Sequence, residues 1–305
     1  HIKDDDTFGG VFGVTKGLAK KYSRKRVIDT PIAEHITLST AVGAAATGLR
    51  PIAELMFNDF IGFGLDPILN QGAKMRYMFG GKAKIPLVVR TVHGAGASAA
   101  AQHSQSLYNM FAAIPGVKVV VPSNPYDAKG LLMSAIQEDN LVVFSEDKTL
   151  LGQKGNVPEE PYTIEIGKAN VTREGDDLTI VAIGKMVAVA EETAEKLAED
   201  QVSVEVIDLR SVSPWDQETV LDSVKKTGRL IVIDESNPQC NIAGDVASVI
   251  GDVGFDYLDG PIKKVTAPDT PVPFAANLEA AYMPNTDKVL DIASELIDDL
   301  KKANA

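Results

Sequence analysis

Two side chains capable of acid–base chemistry stand out by their settings. Glu34 lies in Asp29-Thr-Pro-Ile-Ala-Glu34-His35, and His103 lies in Ala101-Gln-His-Ser-Gln105. Glu34 falls where a predicted strand hands over to a predicted helix. A carboxylate there is either solvated at the surface or held in a pocket for a purpose. His103 sits in a loop of Gly, Ala and Ser that follows a nearly all-apolar strand. It is either a surface histidine with polar neighbours or an imidazole that a mobile loop carries into a site at the strand ends. Gly94 and Gly96 in that loop permit conformations or close approaches that larger side chains prevent. Phe60 opens a helical stretch and reads as a core ring at a helix start.

Other chemistries find no support. No Lys-Ser or Lys-Thr follows a glycine loop as a Walker cradle requires, and no Gly-x-Gly-x-x-Gly follows a strand. His35, His93 and His103 lack metal-ligand spacing and no cysteine joins them, which argues against zinc. No Gly-x-Ser-x-Gly elbow is present for a hydrolase.

The elements that must position these groups alternate. A strand is expected over Arg26–Thr30, ending at Pro31, which cannot continue a ladder. A helix over about Ile36–Thr47 carries small and apolar residues with almost no charge, so burial on several faces is expected. Strands are expected at Pro51–Phe57, Ile85–Val92, Lys118–Pro122 and Leu141–Ser145. Helices fall between them, including a long one over Phe60–Phe79 with Ile61, Leu65, Ile68, Leu69, Ala73 and Met75 on its apolar face. The alternation lapses between Glu146 and Glu174 and then resumes to a final helix over Thr286–Lys302. The fold class expected is α/β, with two doubly wound units: residues 1–150, a linker over 151–174, and residues 175–305.

The 305 residues carry a net charge of −12, which argues against nucleic acid or an anionic membrane as a main partner. No apolar run approaches the roughly 18 residues of a membrane span. Acid is spread along the chain apart from Asp4-Asp5-Asp6. A single cysteine, Cys240, precludes an internal disulfide and fits a reducing compartment such as the cytoplasm; an unpaired cysteine of this kind is expected to be buried and inert.

Several ordered motifs carry a resemblance: Asp29-Thr-Pro-Ile-Ala-Glu34, Gly48-Leu-Arg-Pro-Ile, Ala101-Gln-His-Ser-Gln105, Pro122-Ser-Asn-Pro-Tyr-Asp and Val206-Ile-Asp-Leu-Arg210. In this order the chain resembles the beta subunits of thiamine-diphosphate-dependent 2-oxoacid dehydrogenase complexes, from about Gly9 to the last helix. Glu54-Leu-Met-Phe-Asn-Asp-Phe60, Arg76-Tyr-Met-Phe-Gly-Gly81 and Val265-Thr-Ala-Pro-Asp-Thr-Pro look most like the acetoin dehydrogenase branch. The resemblance implies a pyrimidine-binding transketolase-like domain followed by a transketolase C-terminal-like domain.

It also implies roles. Glu34 would hydrogen-bond N1′ of the cofactor's aminopyrimidine and so help its neighbouring nitrogen take the thiazolium proton, a task for which an apolar setting that raises its pKa is useful. Phe60 would pack on the aminopyrimidine, with Ile32 as a further cofactor contact. His103 would lie in the active-site channel, near the reaction intermediate or the incoming lipoyl arm. Leu87, Ala135, Glu138 and Asn140 fall where family members bind a structural potassium ion through carbonyls.

The family's magnesium-diphosphate motif, Gly-Asp-Gly, is absent, since Gly-Asp at Gly175, Gly244 and Gly251 is never followed by glycine. Magnesium and diphosphate should therefore sit on an alpha subunit, in a two-alpha, two-beta assembly serving a lipoyl acyltransferase core. His35 stands where a small or apolar residue is expected. Only eight residues precede Gly9-Gly10-Val-Phe, where family members carry a helix and a strand, so either a longer natural chain or a sheet one strand short is expected. The reaction implied is acetoin cleavage with transfer of the two-carbon unit to lipoamide. Alternatives are pyruvate or branched-chain 2-oxoacid decarboxylation and, in another class, a non-catalytic docking subunit. For the latter, acids near Asp287, Glu295, Asp298 and Asp299 would meet a basic partner or simply form a solvated face.

Overall fold

Runs of β-branched and apolar residues bounded by glycine and proline become the strands of two parallel-dominated sheets. The computed structural model describes the backbone of residues 9–303 and the side chains of residues 9–297. The run Asp4-Asp5-Asp6 and the side chains of Asp298 and Asp299 lie outside the described residues.

The strands are β1 (Ile52–Leu55), β2 (Val88–His93), β3 (Lys118–Val120), β4 (Val142–Asp147), β5 (Asn170–Arg173), β6 (Leu178–Ala182), β7 (Val204–Asp208), β8 (Ser211–Ser213), β9 (Leu230–Asp234) and β10 (Lys263–Thr266). The first sheet runs β1-β2-β4-β3-β8 and the second β10-β9-β6-β7-β5. In each, four parallel strands end in an antiparallel edge, β8 on β3 and β5 on β7. Every residue of β2, β6, β7 and β9 is buried, as strands covered on both faces require.

β8 crosses from the second half of the chain into the first sheet and ties the halves together. Beside it, Arg210 forks onto the buried Asp127 through Nε (3.0 Å) and Nη2 (2.7 Å). One apolar cluster runs across this junction, holding Val89, Val119 and Val121 with Val181, Ile207 and Val232. No described helix is long and apolar enough to cross a membrane.

Four expectations are corrected. Residues 26–30 form no strand: β1 pairs only with β2, and Ile28 is exposed, because two β-branched residues before a proline make no strand without a ladder to join. The helix Glu34–Ala46 buries only Leu38, Ala41, Val42 and Ala45; Ile36 and the small residues Ser39, Thr40, Gly43 and Ala46 face outward, since this chain supplies neighbours on one side alone. The helix expected over Phe60–Phe79 is broken into a 3₁₀ turn Asn58–Phe60, an α-helix Ile61–Asp66, a π-turn Pro67–Gly72 and a short helix Met75–Met78. Pro67 lacks the amide an unbroken α-ladder needs, and Gly72 lies where a Cβ would be 2.5 Å from Leu141 Cδ1. Its apolar face nonetheless packs as expected, with Ile61, Ile68 and Ala73 buried. Cys240 is exposed, not buried.

Within the segment expected to link the halves, Asn170–Arg173 is a strand of the second sheet; its mixed Asn-Val-Thr-Arg composition hides it.

Candidate active site

β1 and β2 run parallel, so their carboxyl ends lie side by side, where open α/β sheets bind ligands. From β1 the chain enters the turn Asn58–Phe60, and from β2 it enters the loop of residues 94–105. The loop returns His103 against that turn. Its imidazole meets Phe57 edge-on at 5.1 Å and Phe60 at 5.3 Å between ring centroids. Lys148 donates to the His103 carbonyl and, at 3.3 Å, to Ser104 Oγ.

Glu34 begins the helix Glu34–Ala46. The helix that follows Phe60 approaches so closely that a Cβ on Gly64 would lie 2.2 Å from Leu38 Cδ1 and 4.0 Å from the Glu34 carbonyl. A larger residue at that position would have to displace the Leu38 side chain. Glu34 is half-buried and, among the described residues, makes no side-chain hydrogen bond, so in this single chain one side of it stays open. Ile32 is 96% exposed and His35 is also exposed. Phe60 and His103 are thus joined directly, Glu34 is linked to them through the packing of its helix on the one that follows Phe60, and Ile32 is exposed.

The loop is fixed along its length by acids from three other segments. At its start, Ala95 N–H donates to Glu235 (2.6 Å) and the Ala95 carbonyl accepts from Lys185 (2.6 Å). In its middle, the amides of Gly96 and Ser98 donate to the two oxygens of Glu279 (2.8 Å each). At its end, Gln105 gives its backbone amide (3.1 Å) and its side-chain amide (2.9 Å) to Asp59.

Beneath the loop lies a buried polar cluster drawn from both halves. Lys185 pairs with Glu235 (3.0 Å) and Asp147 (3.3 Å). His93 Nδ1 bonds Ser145 Oγ at 2.8 Å, and Tyr108 donates to Asp234. Burial pushes His93 down to about 4, against the pull of Asp147, so it is neutral at pH 7. Burial also pushes the Glu235 carboxyl up to about 7, against Lys185. Burial lowers the Lys148 ammonium, against Asp59 and Asp147. In Lys185 the carboxylates of Glu235 and Asp147 outweigh burial and raise it.

Donor atoms of His93, Asp147 and Glu235 lie within 4.8 Å of one another, a spacing a metal ion would accept. The Lys185 ammonium already bridges two of the three, so the cation is part of the fold and no metal is assigned there.

Of the four backbone carbonyls expected to bind potassium, three accept hydrogen bonds within the chain. The Leu87 carbonyl accepts from Val142 and that of Ala135 from Glu138. The Glu138 carbonyl accepts from Arg50 Nη1 at 2.9 Å, and Asn140 Oδ1 accepts from Arg76. The Arg50 guanidinium thus stands beside the Glu138 carbonyl.

The residues that sequence reasoning passed over are Phe57, Asp59, Lys148, Lys185, Glu235 and Glu279. The paired glycines marked the loop as unusual, but its acidic partners lie up to 183 positions away and carry no local signal.

The chain matches known proteins over most of its length. Residues 2–154 match the family model "Transketolase, pyrimidine binding domain", and residues 167–289 match "Transketolase, C-terminal domain". The acetoin:2,6-dichlorophenolindophenol oxidoreductase subunit beta of Bacillus subtilis is 57% identical over 97% of this chain and 87% of its own length. The protein of the same description from Cupriavidus necator is 51% identical over 94% of this chain and 84% of its own length. The pyruvate dehydrogenase E1 component subunit beta of Bacillus subtilis is 44% identical over 95% and 89%. Among solved structures, a split gene transketolase described as an inactive beta4 tetramer superposes with a TM-score of 0.74 at 23% identity, over 91% of this chain and 87% of its own, a likeness of fold.

Proposed function

Since the chain belongs to the beta subunits of the thiamine-diphosphate-dependent acetoin and 2-oxoacid dehydrogenases, with their transketolase-type domains, we propose that it is the beta subunit of the first component of an acetoin dehydrogenase complex. With an alpha subunit it cleaves acetoin between its two oxygen-bearing carbons and releases acetaldehyde. The two-carbon unit passes to the lipoyl group of an acyltransferase core. As the carbon is oxidised to a thioester, the lipoyl disulfide is reduced, one sulfur taking the acyl group and the other a proton.

The observation that carries this reading is the joining of Phe60 to His103 across the ends of β1 and β2, with Glu34 at the start of the helix that packs on the one after Phe60. The chemistry of these groups fits the aminopyrimidine end of thiamine diphosphate: a ring to stack on and a carboxyl to share a proton. The diphosphate end is not matched, because the amides of Gly96 and Ser98 in the glycine loop are committed to Glu279. We therefore assign magnesium and diphosphate to the alpha subunit. When bound, thiamine diphosphate supplies the carbon nucleophile and electron sink that cleavage beside a carbonyl requires.

This chain's part is to orient and to move protons. Glu34 holds or gives a proton at its carboxyl, completing its enclosure against the alpha subunit. Phe60 sets the plane of the adjacent ring. Phe57 and Phe60 fix the imidazole of His103 edge-on, while Lys148 holds its backbone, so that His103 meets the substrate oxygen or the arriving lipoyl arm. The exposed Ile28, Ile32, Ile36, Phe63 and Phe79 on this half supply apolar surface for partner subunits in a two-alpha, two-beta assembly. A lipoyl acceptor and a lone cysteine suit a reducing compartment, the cytoplasm.

Identity favours acetoin over pyruvate, 57% against 44% for relatives from one organism. Turnover by the reconstituted alpha–beta pair tests the choice. Acetoin activity with little on pyruvate is expected, and the reverse would reassign the substrate.

A further inference from the structure

We propose that Glu279 is a positioning residue for the reaction: from the second half of the chain, its carboxylate sets the conformation of the loop that presents His103. The proposal rests on reading His103 as an active-site group.

The loop alternates in handedness. Gly94 (φ 99°), Gly96 (φ 105°), Ser98 (φ 50°) and Ala100 (φ 61°) all lie in the left-handed region, every second residue. Glycine adopts that region freely, whereas Ser98 and Ala100 do so only when surrounding bonds impose it. Alternation of this kind turns successive amides toward a common point and makes a concave anion site. Glu279 fills it: Oε1 takes the Gly96 amide and Oε2 takes the Ser98 amide, each at 2.8 Å, with Ser98 Oγ at 3.5 Å.

Glu279 is 3% exposed, in the helix Ala276–Tyr282, and none of the described ion pairs includes it. A buried carboxylate needs compensation, and here the loop amides supply it. Carboxylate and loop therefore define each other. The loop's ends have separate anchors in Glu235 and Asp59. Its middle, where Gly96 and Ala97 are exposed, is held by Glu279. A second route leads to the same histidine. Lys148, which donates to the His103 carbonyl, lies within the field of Glu279, whose charge favours the ammonium form.

The test compares wild type, Glu279→Gln and Glu279→Asp in the complex with the alpha subunit. Kinetics on acetoin are read alongside thiamine diphosphate affinity and amide hydrogen exchange. Glutamine offers one acceptor and turns an NH2 toward an amide donor, so it cannot satisfy both amides. The expected result for Glu279→Gln is a fall in kcat of ~10-fold or more, with KM and cofactor affinity within about 2-fold. Exchange should quicken in residues 96–104 only, and Glu279→Asp, which keeps the charge, should recover part of kcat. Unchanged kcat, unchanged loop exchange, or faster exchange throughout the second half would each overturn the proposal. If the wild-type complex fails to turn over acetoin, the functional reading falls, while the exchange comparison still decides whether Glu279 holds the loop.

Discussion

The imidazole of His103 meets the ring of Phe60 edge-on, 5.3 Å between centroids and 79° between planes, although the two lie in different crossovers of the sheet. One sits at the end of the loop after β2, the other in the turn after β1. Parallel pairing of those strands makes the meeting possible. The aromatic expected to stack on cofactor and the imidazole expected near the reacting carbon therefore form one unit, with a division of labour that substitutions separate.

Phe60→Ala should weaken thiamine diphosphate binding about 10-fold, the order of one aromatic packing contact plus its buried area. His103→Ala should instead lower kcat by about 100-fold with cofactor affinity within about 2-fold, as expected for a proton-handling or orienting group. Calorimetry and steady-state kinetics on the alpha–beta complex read both. Equal effects of the two variants on affinity would erase the division.

Glu34→Gln should abolish most turnover without unfolding the chain. Glu34 is half-buried and bonds to no other described side chain, so its loss should change stability by less than about 0.5 kcal/mol. Its proton chemistry is worth about 100-fold or more in rate. Melting temperature and kcat together check this, and a wild-type rate would remove Glu34 from the mechanism.

The strand-and-helix alternation was legible because buried parallel strands are almost wholly apolar, as in Ile-Pro-Leu-Val-Val before the loop. In the helices Met186–Glu199 and Ile242–Val253 the buried residues recur at helical spacing. What failed depended on partners. Val27 and Ile28 have strand-forming side chains but no ladder, and the helix Glu34–Ala46 has an apolar composition whose outer face this chain leaves uncovered. Glu34, Phe60 and His103 could be singled out because strand ends and motif order mark them. The carboxylates that fix the loop could not, since Glu279 looks like any acid on a short helix until the fold brings it to Gly96 and Ser98.

Lys148→Met should cost stability as well as rate. The ammonium is buried, donates to the His103 carbonyl and sits over the Phe57 ring at 5.6 Å. Removing it orphans buried acceptors, a loss of about 1–3 kcal/mol. Urea unfolding should show that decrease together with faster hydrogen exchange at residues 103–105. An unchanged unfolding midpoint would mean the lysine is not holding the loop.

Acid should loosen the junction through His93. Burial holds its folded pKa at about 4, below the ordinary 6.5. Between those values the unfolded chain takes up a proton that the folded chain refuses, so stability present above pH 6.5 is lost as pH falls toward 4. The loss amounts to about 3 kcal/mol across the whole window. His93→Asn removes this contribution, so the stability gap between wild type and variant should narrow between pH 7 and pH 5. Parallel pH curves would show that His93 protonates equally in both states.

Calorimetry can read whether this chain supplies the aminopyrimidine half of a site that another subunit completes. Thiamine diphosphate with magnesium is titrated into this chain alone and then into its mixture with the alpha subunit. Binding only in the mixture, weakened by Glu34→Gln, is the expected result. Tight magnesium-dependent binding to this chain alone would place the diphosphate site here and remove the need for a shared site.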